Sequence, residues 1–315
     1  MKVLLTGACG FIGSHVLDRL LAANHEVLGV DALEPRVHPT GVKPPWWPDR
    51  VELVVTTVDK VPYWALAEAD VVIHLAAQVG VADSMTDPAR YVEQNSLQTT
   101  VLLNDLRTAL ARGNLRRLIV ASSMSVYGAG GMLVREDAPC VPASVYGLTK
   151  YDQERLCLLW GAQHRVETVA LRFFNVYGPR QALTNPYTGV LANFAQALLA
   201  GQAPIVFEDG GQTRDFVYVS DVADAVVRVA TMEAPIFGAY NVCTSWPTTI
   251  LTAAHTLAQA LGVPEITPRI TRTKREGDIR DCTGNGDKLA RAADWHPRTS
   301  FPAGIQAYAN WLRSL

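Results

Sequence analysis

Two spacings of apolar residues alternate along this chain. Short continuous apolar runs occupy Val3-Leu4-Leu5, His25 to Val30, Val51 to Val55, Asp70 to Ala77 and Leu118 to Ala121. Runs of that length with little polar alternation predict strands buried on both faces. Between them, Phe11 to Ala23 and about Pro88 to Arg112 place apolar residues three and four apart, which predicts helices. Strands alternating with helices imply an α/β fold, a doubly wound parallel sheet covered on both faces. Leu33 to Pro48 breaks the pattern with five prolines and the pair Trp46-Trp47. Helix and central strand are both excluded there, so a surface excursion is expected, its tryptophans packing it onto the body.

The junction between the first strand and first helix is Gly7-Ala8-Cys9-Gly10-Phe11-Ile12-Gly13. Glycines at that spacing allow a tight turn and let the backbone approach a pyrophosphate at the helix N-terminus. The second strand ends at Asp31, about twenty residues on, where a carboxylate bonds ribose hydroxyls and repels a 2′-phosphate. That favours NAD over NADP, with Arg36 nearby able to weaken the preference. Ala76 and Ala77 end the fourth strand with small side chains that leave room for a cofactor. Ser122 and Ser123 follow the strand Leu118 to Ala121, at the sheet edge where open α/β folds bind ligands.

Composition narrows the partners. Apolar residues make up 49% and charged residues 18%, and the net charge is −2, which gives no reason to expect nucleic acid or an anionic membrane. The five cysteines, Cys9, Cys140, Cys157, Cys243 and Cys282, show neither zinc-ligand spacing nor a disulfide framework. That fits a reducing cytoplasm, and no metal site is expected. Met1 to Leu5 reaches Thr6-Gly7 too soon for a signal peptide, and no apolar run is long enough to span a bilayer.

Tyr146-Gly147-Leu148-Thr149-Lys150 adds a reactive pair. Four residues apart on a helix, the phenol and the ammonium share one face. A cation beside a phenol of pKa about 10 lowers it toward use in proton transfer with an alcohol.

Several motifs then stand in order: the glycine turn, Asp31, His74-Leu75-Ala76-Ala77-Gln78, Ser122 to Gly128, Tyr146 to Lys150, Arg172 to Arg180, and Arg214 to Val219. Together they resemble an extended short-chain dehydrogenase/reductase of the nucleotide-sugar epimerase and dehydratase group. The run Gln181 to Val190 is most like bacterial dTDP-L-rhamnose 4-epimerase-type proteins, and UDP-glucose 4-epimerase-type proteins are similar throughout. The resemblance implies a Rossmann-type NAD-binding domain over residues 1–174 and a smaller C-terminal nucleotide-sugar-binding lobe over 175–315. Strands within 214–243 would return to the first domain. It implies NAD contacts from Gly7, Gly10, Phe11, Ile12, Gly13, Asp31, Leu75, Ala76 and Ala77, with Thr57 or Asp59 meeting the adenine. It also implies Ser123, Tyr146 and Lys150 as catalytic residues, Tyr146 and Lys150 also touching the cofactor. Asn175, Arg214, Arg275 and Asp278 would hold the nucleotide diphosphate. Cys282 would flank the sugar, leaving space for a 2-acetamido group. A homodimer through the helices near Pro88–Arg112 and Tyr146–Gln163 is implied as well. The subgroup's cysteine-bearing insertion after Val126-Tyr127-Gly128 is missing.

The reaction is narrowed at Met124 and Ser125. Dehydratases of the group resemble Thr-Asp-Glu-Val-Tyr-Gly, whereas here no carboxyl group follows Ser123. Elimination of water is disfavoured, and epimerisation or simple keto reduction remains; the resemblance implies inversion of C4 in a UDP- or dTDP-hexose through a transient 4-keto intermediate. The alternatives are an NAD(P)H-dependent 4-ketoreductase of a dTDP-4-keto-6-deoxy sugar and a non-catalytic NAD-sensing protein.

Overall fold

The computed structural model describes residues 1–111, 113–183, 189–273 and 279–315. Its strands, in chain order, are β1 (Lys2–Thr6), β2 (Glu26–Asp31), β3 (Glu52–Val55), β4 (Val71–His74), β5 (Arg117–Ser123), β6 (Gly131–Val134) and β7 (Glu167–Phe173). They continue with β8 (Asn175–Tyr177), β9 (Ile205–Val206), β10 (Thr213–Tyr218), β11 (Gly238–Val242), β12 (Pro247–Thr249), β13 (Arg269–Ile270) and β14 (Asp281–Gly284).

Seven of these form one parallel sheet in the order β3-β2-β1-β4-β5-β7-β11. Both faces are covered, and successive residues of one strand enter opposite cores. Val3, Leu5, Ile119 and Leu171 pack toward the helices Phe11–Ala22 and Val219–Thr231. Leu4, Val72, Leu118 and Val120 pack toward Gln98–Leu110 and Val145–His164. Double burial is why these strands read as unbroken apolar runs. The architecture is a Rossmann-type α/β fold.

A second sheet, β12-β10-β14-β6, carries the other end of the molecule. One strand joins its parts: Thr213–Asp215 of β10 pairs with β12, while Phe216–Tyr218 pairs with β8. A separate core of Tyr177, Phe194, Phe216, Leu257, Ile305 and Tyr308 lies beneath it. Late in the chain β11 returns to pair with β7 in the main sheet.

The helix expected over Pro88 to Arg112 is not continuous. Pro88–Tyr91 and Gln98–Leu110 are α-helical, but Val92–Leu97 is a π-turn. Its buried Asn95 accepts from the Gln78 nitrogen at 2.6 Å and donates to the Gln78 carbonyl at 3.1 Å, which turns that residue inward. A π-turn spends one extra residue to do so. Among the described residues no helix is long and apolar enough to cross a membrane, and no cluster of metal-ligating side chains is present. All five cysteines are free thiols.

Candidate active site

The strand order reverses between β1 and β4, and there a cleft of about 940 Å³ opens at the strands' carboxyl ends. The glycine turn forms one wall. Gly7 adopts φ +67°, and a Cβ there would stand 2.8 Å from the Ala76 nitrogen beyond β4. At Gly13 a Cβ would meet the Gly7 carbonyl oxygen at 2.0 Å. Glycine alone lets the helix Phe11–Ala22 start so close to the turn, with its free N–H groups at the cleft and no acidic side chain in its first turn. An anionic pyrophosphate fits that cradle. Gly10, Phe11 and Ile12 line it, and Leu75, Ala76 and Ala77 line the wall after β4.

Asp31 ends β2 at the cleft edge. Its Oδ2 accepts from the Cys9 nitrogen and its Oδ1 from the Leu33 nitrogen, both at 2.8 Å. The carboxylate is thus fixed, with lone pairs left for ribose hydroxyls. Arg36 reaches Asp83 at 2.5 Å, so that carboxylate shares its charge. Thr56, Thr57 and Val58 line the next stretch of wall. Asp59 stands one residue behind, with Oδ1 buried and unbonded, an acceptor that suits an amino donor such as that of adenine.

Ser123 lies at the end of β5. It caps the short turn Met124–Tyr127, its Oγ accepting from the Ser125 nitrogen at 3.1 Å. Facing it, the helix Val145–His164 is capped by Ser144, whose Oγ accepts from the Gly147 nitrogen at 3.0 Å. Tyr146, in that helix's first turn, and Lys150 both line the cleft with Ser123. Burial raises the Tyr146 phenol above its ordinary value, and a side-chain hydrogen bond with Ser123 acts the other way. Tyr91 packs edge-on against the Tyr146 ring, the centroids 6.4 Å apart.

Lys150 behaves differently from expectation. Its ammonium donates to Gln153 Oε1, one turn on along the same helix, and burial lowers it to about 7. A phenol held down by that lysine is therefore corrected: desolvation dominates at Tyr146, and Ser123 supplies the opposing pull.

Residues 3–243 match the NAD dependent epimerase/dehydratase family. The chain belongs to this family. It is 33% identical to the UDP-glucose 4-epimerase of Mycolicibacterium smegmatis over 100% of this chain and 99% of that protein. It is 31% identical to the dTDP-L-rhamnose 4-epimerase of Burkholderia thailandensis over 99% of this chain and 94% of the relative. Among solved structures it is similar to the UDP-glucuronic acid 4-epimerase of Bacillus cereus, in complex with UDP-glucuronic acid and NAD. The TM-score is 0.88 at 28% identity, covering 100% of this chain and 99% of that one.

In this family member the cleft continues past β8, where Asn175 lines it with a buried, unbonded Nδ2. Arg214 and Cys282 are register partners on β10 and β14 and do not line the cleft. Arg214 Nη1 donates to the Thr213 carbonyl at 2.8 Å. Cys282 lies in β14 between β10 and β6, which buries it, and its Sγ sits 2.9 Å from Met124 Sδ. Met124, which Cys282 touches, lines the cleft wall. Arg275 and Asp278 lie outside the described residues, as do residues 184–188 of the Gln181 to Val190 run.

The proline-rich excursion packs as its composition suggests. Trp47 is buried, and its Nε1 donates to the Val51 carbonyl at 2.9 Å. Trp46 lines the cleft under Arg180, whose guanidinium carbon is 4.8 Å from the ring centroid. Arg180 also bonds Asp18 at 2.8 Å, tying the segment after β8 to the first helix.

Asn95, Thr99 and Gln153 do not line the cleft but support residues that do, Asn95 bonding Gln78 and Gln153 bonding Lys150. Asn95 Nδ2 donates to Thr149 Oγ1 at 3.0 Å, and Gln153 Nε2 donates to Thr99 Oγ1 at 2.8 Å. Their signal in the sequence is faint: polar side chains at positions where the helical period places the inward face.

Proposed function

We propose that this enzyme inverts C4 of a UDP- or dTDP-linked hexose through a transient 4-keto intermediate, with NAD as its cofactor. The carrying observation is Ser123 and Tyr146 lining one cleft, with methionine and serine rather than a carboxyl group at positions 124 and 125. Gly7, Gly10 and Gly13 would hold the NAD pyrophosphate, Asp31 the adenosine ribose, and Asp59 the adenine amino group. When bound, NAD would supply reversible hydride acceptance for C4. Tyr146 removes the proton of the 4-hydroxyl and gives it back, and Ser123 orients that oxygen. Lys150, with two ammonium donors beyond the one on Gln153, serves the nicotinamide ribose. Asn175 Nδ2 suits a diphosphate oxygen, and Arg214 stands behind as a fork of donors.

A second copy of this chain is the expected partner. Val92 and Leu97 of the π-turn and Leu148 and Leu159 of the helix Val145–His164 are exposed apolar residues. Light scattering after gel filtration should give twice the monomer mass.

The activity is tested by incubating the purified protein with UDP- and dTDP-sugars without added cofactor and following C4 by NMR. Interconversion of a C4 pair supports the reading. Turnover that requires and consumes reduced cofactor on a 4-keto sugar would replace it with the reductase.

A further inference from the structure

Lys150 is 3% exposed, and a buried ammonium depends on the groups around it. Its own helix presents Tyr146, Gln153, Glu154 and Cys157, and β4 presents His74. Glu154 is already engaged by Arg172 and by Ser122 Oγ. Burial pushes the Cys157 thiol up to about 12, so it carries no charge near neutrality. Burial, aided by the lysine, takes His74 down to about 3, so it too is neutral. Gln153, wholly buried, accepts the lysine's hydrogen bond on Oε1.

The other end of that amide faces Thr99 and His74. Nε2 donates to Thr99 Oγ1 at 2.8 Å and lies 3.2 Å from His74 Nε2. His74 Nδ1 is 2.8 Å from Thr6 Oγ1, at the end of β1. With the imidazole proton assigned to Nδ1, Nε2 is an acceptor shared by the amide at 3.2 Å and the Thr99 hydroxyl at 3.0 Å. Turning the amide over would set its NH₂ against the ammonium and its oxygen against a lone pair.

We propose that Gln153 is the positioning residue of Lys150: its amide oxygen holds the ammonium in the cleft, and Thr99 and His74 lock the amide so that only oxygen faces the cation. The lysine's part in catalysis rests on the epimerase reading; the placement of Gln153 does not. An acceptor for the ammonium works against burial, the largest influence on the lysine, as the nearby Glu154 carboxylate also does.

Two variants of the full-length protein test this. Gln153→Met keeps the volume and removes the acceptor, while Gln153→Glu keeps the acceptor and adds a charge. NADH binding to protein stripped of retained nucleotide is followed against pH by quenching of tryptophan fluorescence, which needs no sugar turnover. Affinity should fall as the lysine loses its proton. The midpoint of that fall should move down by about one pH unit in Gln153→Met and up by at least about one in Gln153→Glu. On whichever sugar the wild type converts, Gln153→Met should lose about tenfold in kcat, less than the 10²–10⁴ typical of a proton-transferring group. Gln153→Glu should recover part of that loss.

Midpoints that stay fixed in both variants while thermal stability falls would make Gln153 a packing residue and overturn the proposal. Should Gln153→Met not fold, an unmoved midpoint in Gln153→Glu overturns it just as well. A wild type inactive on every sugar nucleotide, with the midpoints still moving, would sink the epimerase reading and leave the placement of Gln153 intact.

Discussion

Arg172 and Glu154 form a two-bonded ion pair buried directly behind Ser122, with Nη2–Oε1 at 2.6 Å and Nε–Oε2 at 2.9 Å. The same carboxylate accepts from Ser122 Oγ at 2.6 Å. Arg172 Nη1 also donates to the Tyr127 hydroxyl at 2.8 Å, which donates in turn to Asn241 Oδ1 at 2.7 Å. The pair therefore clamps the end of β5 to the helix Val145–His164 and to β7. Glu154→Ala would leave a buried guanidinium without its counter-charge, a loss of about 3–5 kcal/mol. Urea unfolding measures it, and a loss under about 1 kcal/mol would mean that water compensates Arg172.

His74 sets a pH dependence of stability. Burial holds its folded-state value at about 3, whereas an unfolded histidine titrates near 6.5. Between those values the unfolded chain binds more protons, so stability falls as pH drops through that window, by up to about 1.4 kcal/mol per unit. Below about 3 this contribution is flat. His74→Gln should flatten the slope between pH 6 and about 4 relative to wild type; equal slopes in urea titrations of both proteins would place the linkage elsewhere.

The glycine cradle makes a graded prediction. Gly13→Ala drives a methyl group into backbone at 2.0 Å, and Gly10→Ala meets the Gly7 oxygen only at 3.2 Å. The first should cost about 1–3 kcal/mol and abolish retention of NAD on purification, the second much less of both. Cofactor content by absorbance, compared with melting temperature, checks the order.

Tyr146→Phe removes the hydroxyl and preserves the ring packed against Tyr91. Turnover should fall by about 10²–10⁴-fold with NAD content unchanged. Wild-type rates in that variant would remove the centre of the proposed mechanism.

Much of this molecule was legible in its sequence because β1, β4 and β5 are buried on both faces and so leave unbroken apolar runs. The glycine turn was legible for a related reason: sterics at Gly7 and Gly13 permit no other residue. What escaped notice depends on contacts between distant segments. Gln153 looks like any polar helical residue until His74 and Thr99 are brought against it from positions 79 and 54 residues away. The bond from Lys150 to Gln153 is hidden for the same reason. The contact of Cys282 with Met124 is hidden likewise, since it joins residues 158 apart.

The π-turn at Val92–Leu97 bears on how this chain can vary. A helix accepting one surplus residue is rotated by about 100° beyond that point relative to an ordinary α-helix. Losing a single codon there would restore regular hydrogen bonding and yet swing Asn95 off Gln78 and Thr99 off Gln153. Local regularity and the active site thus pull in opposite directions at this turn, and a shorter, tidier helix would be the more damaging inheritance.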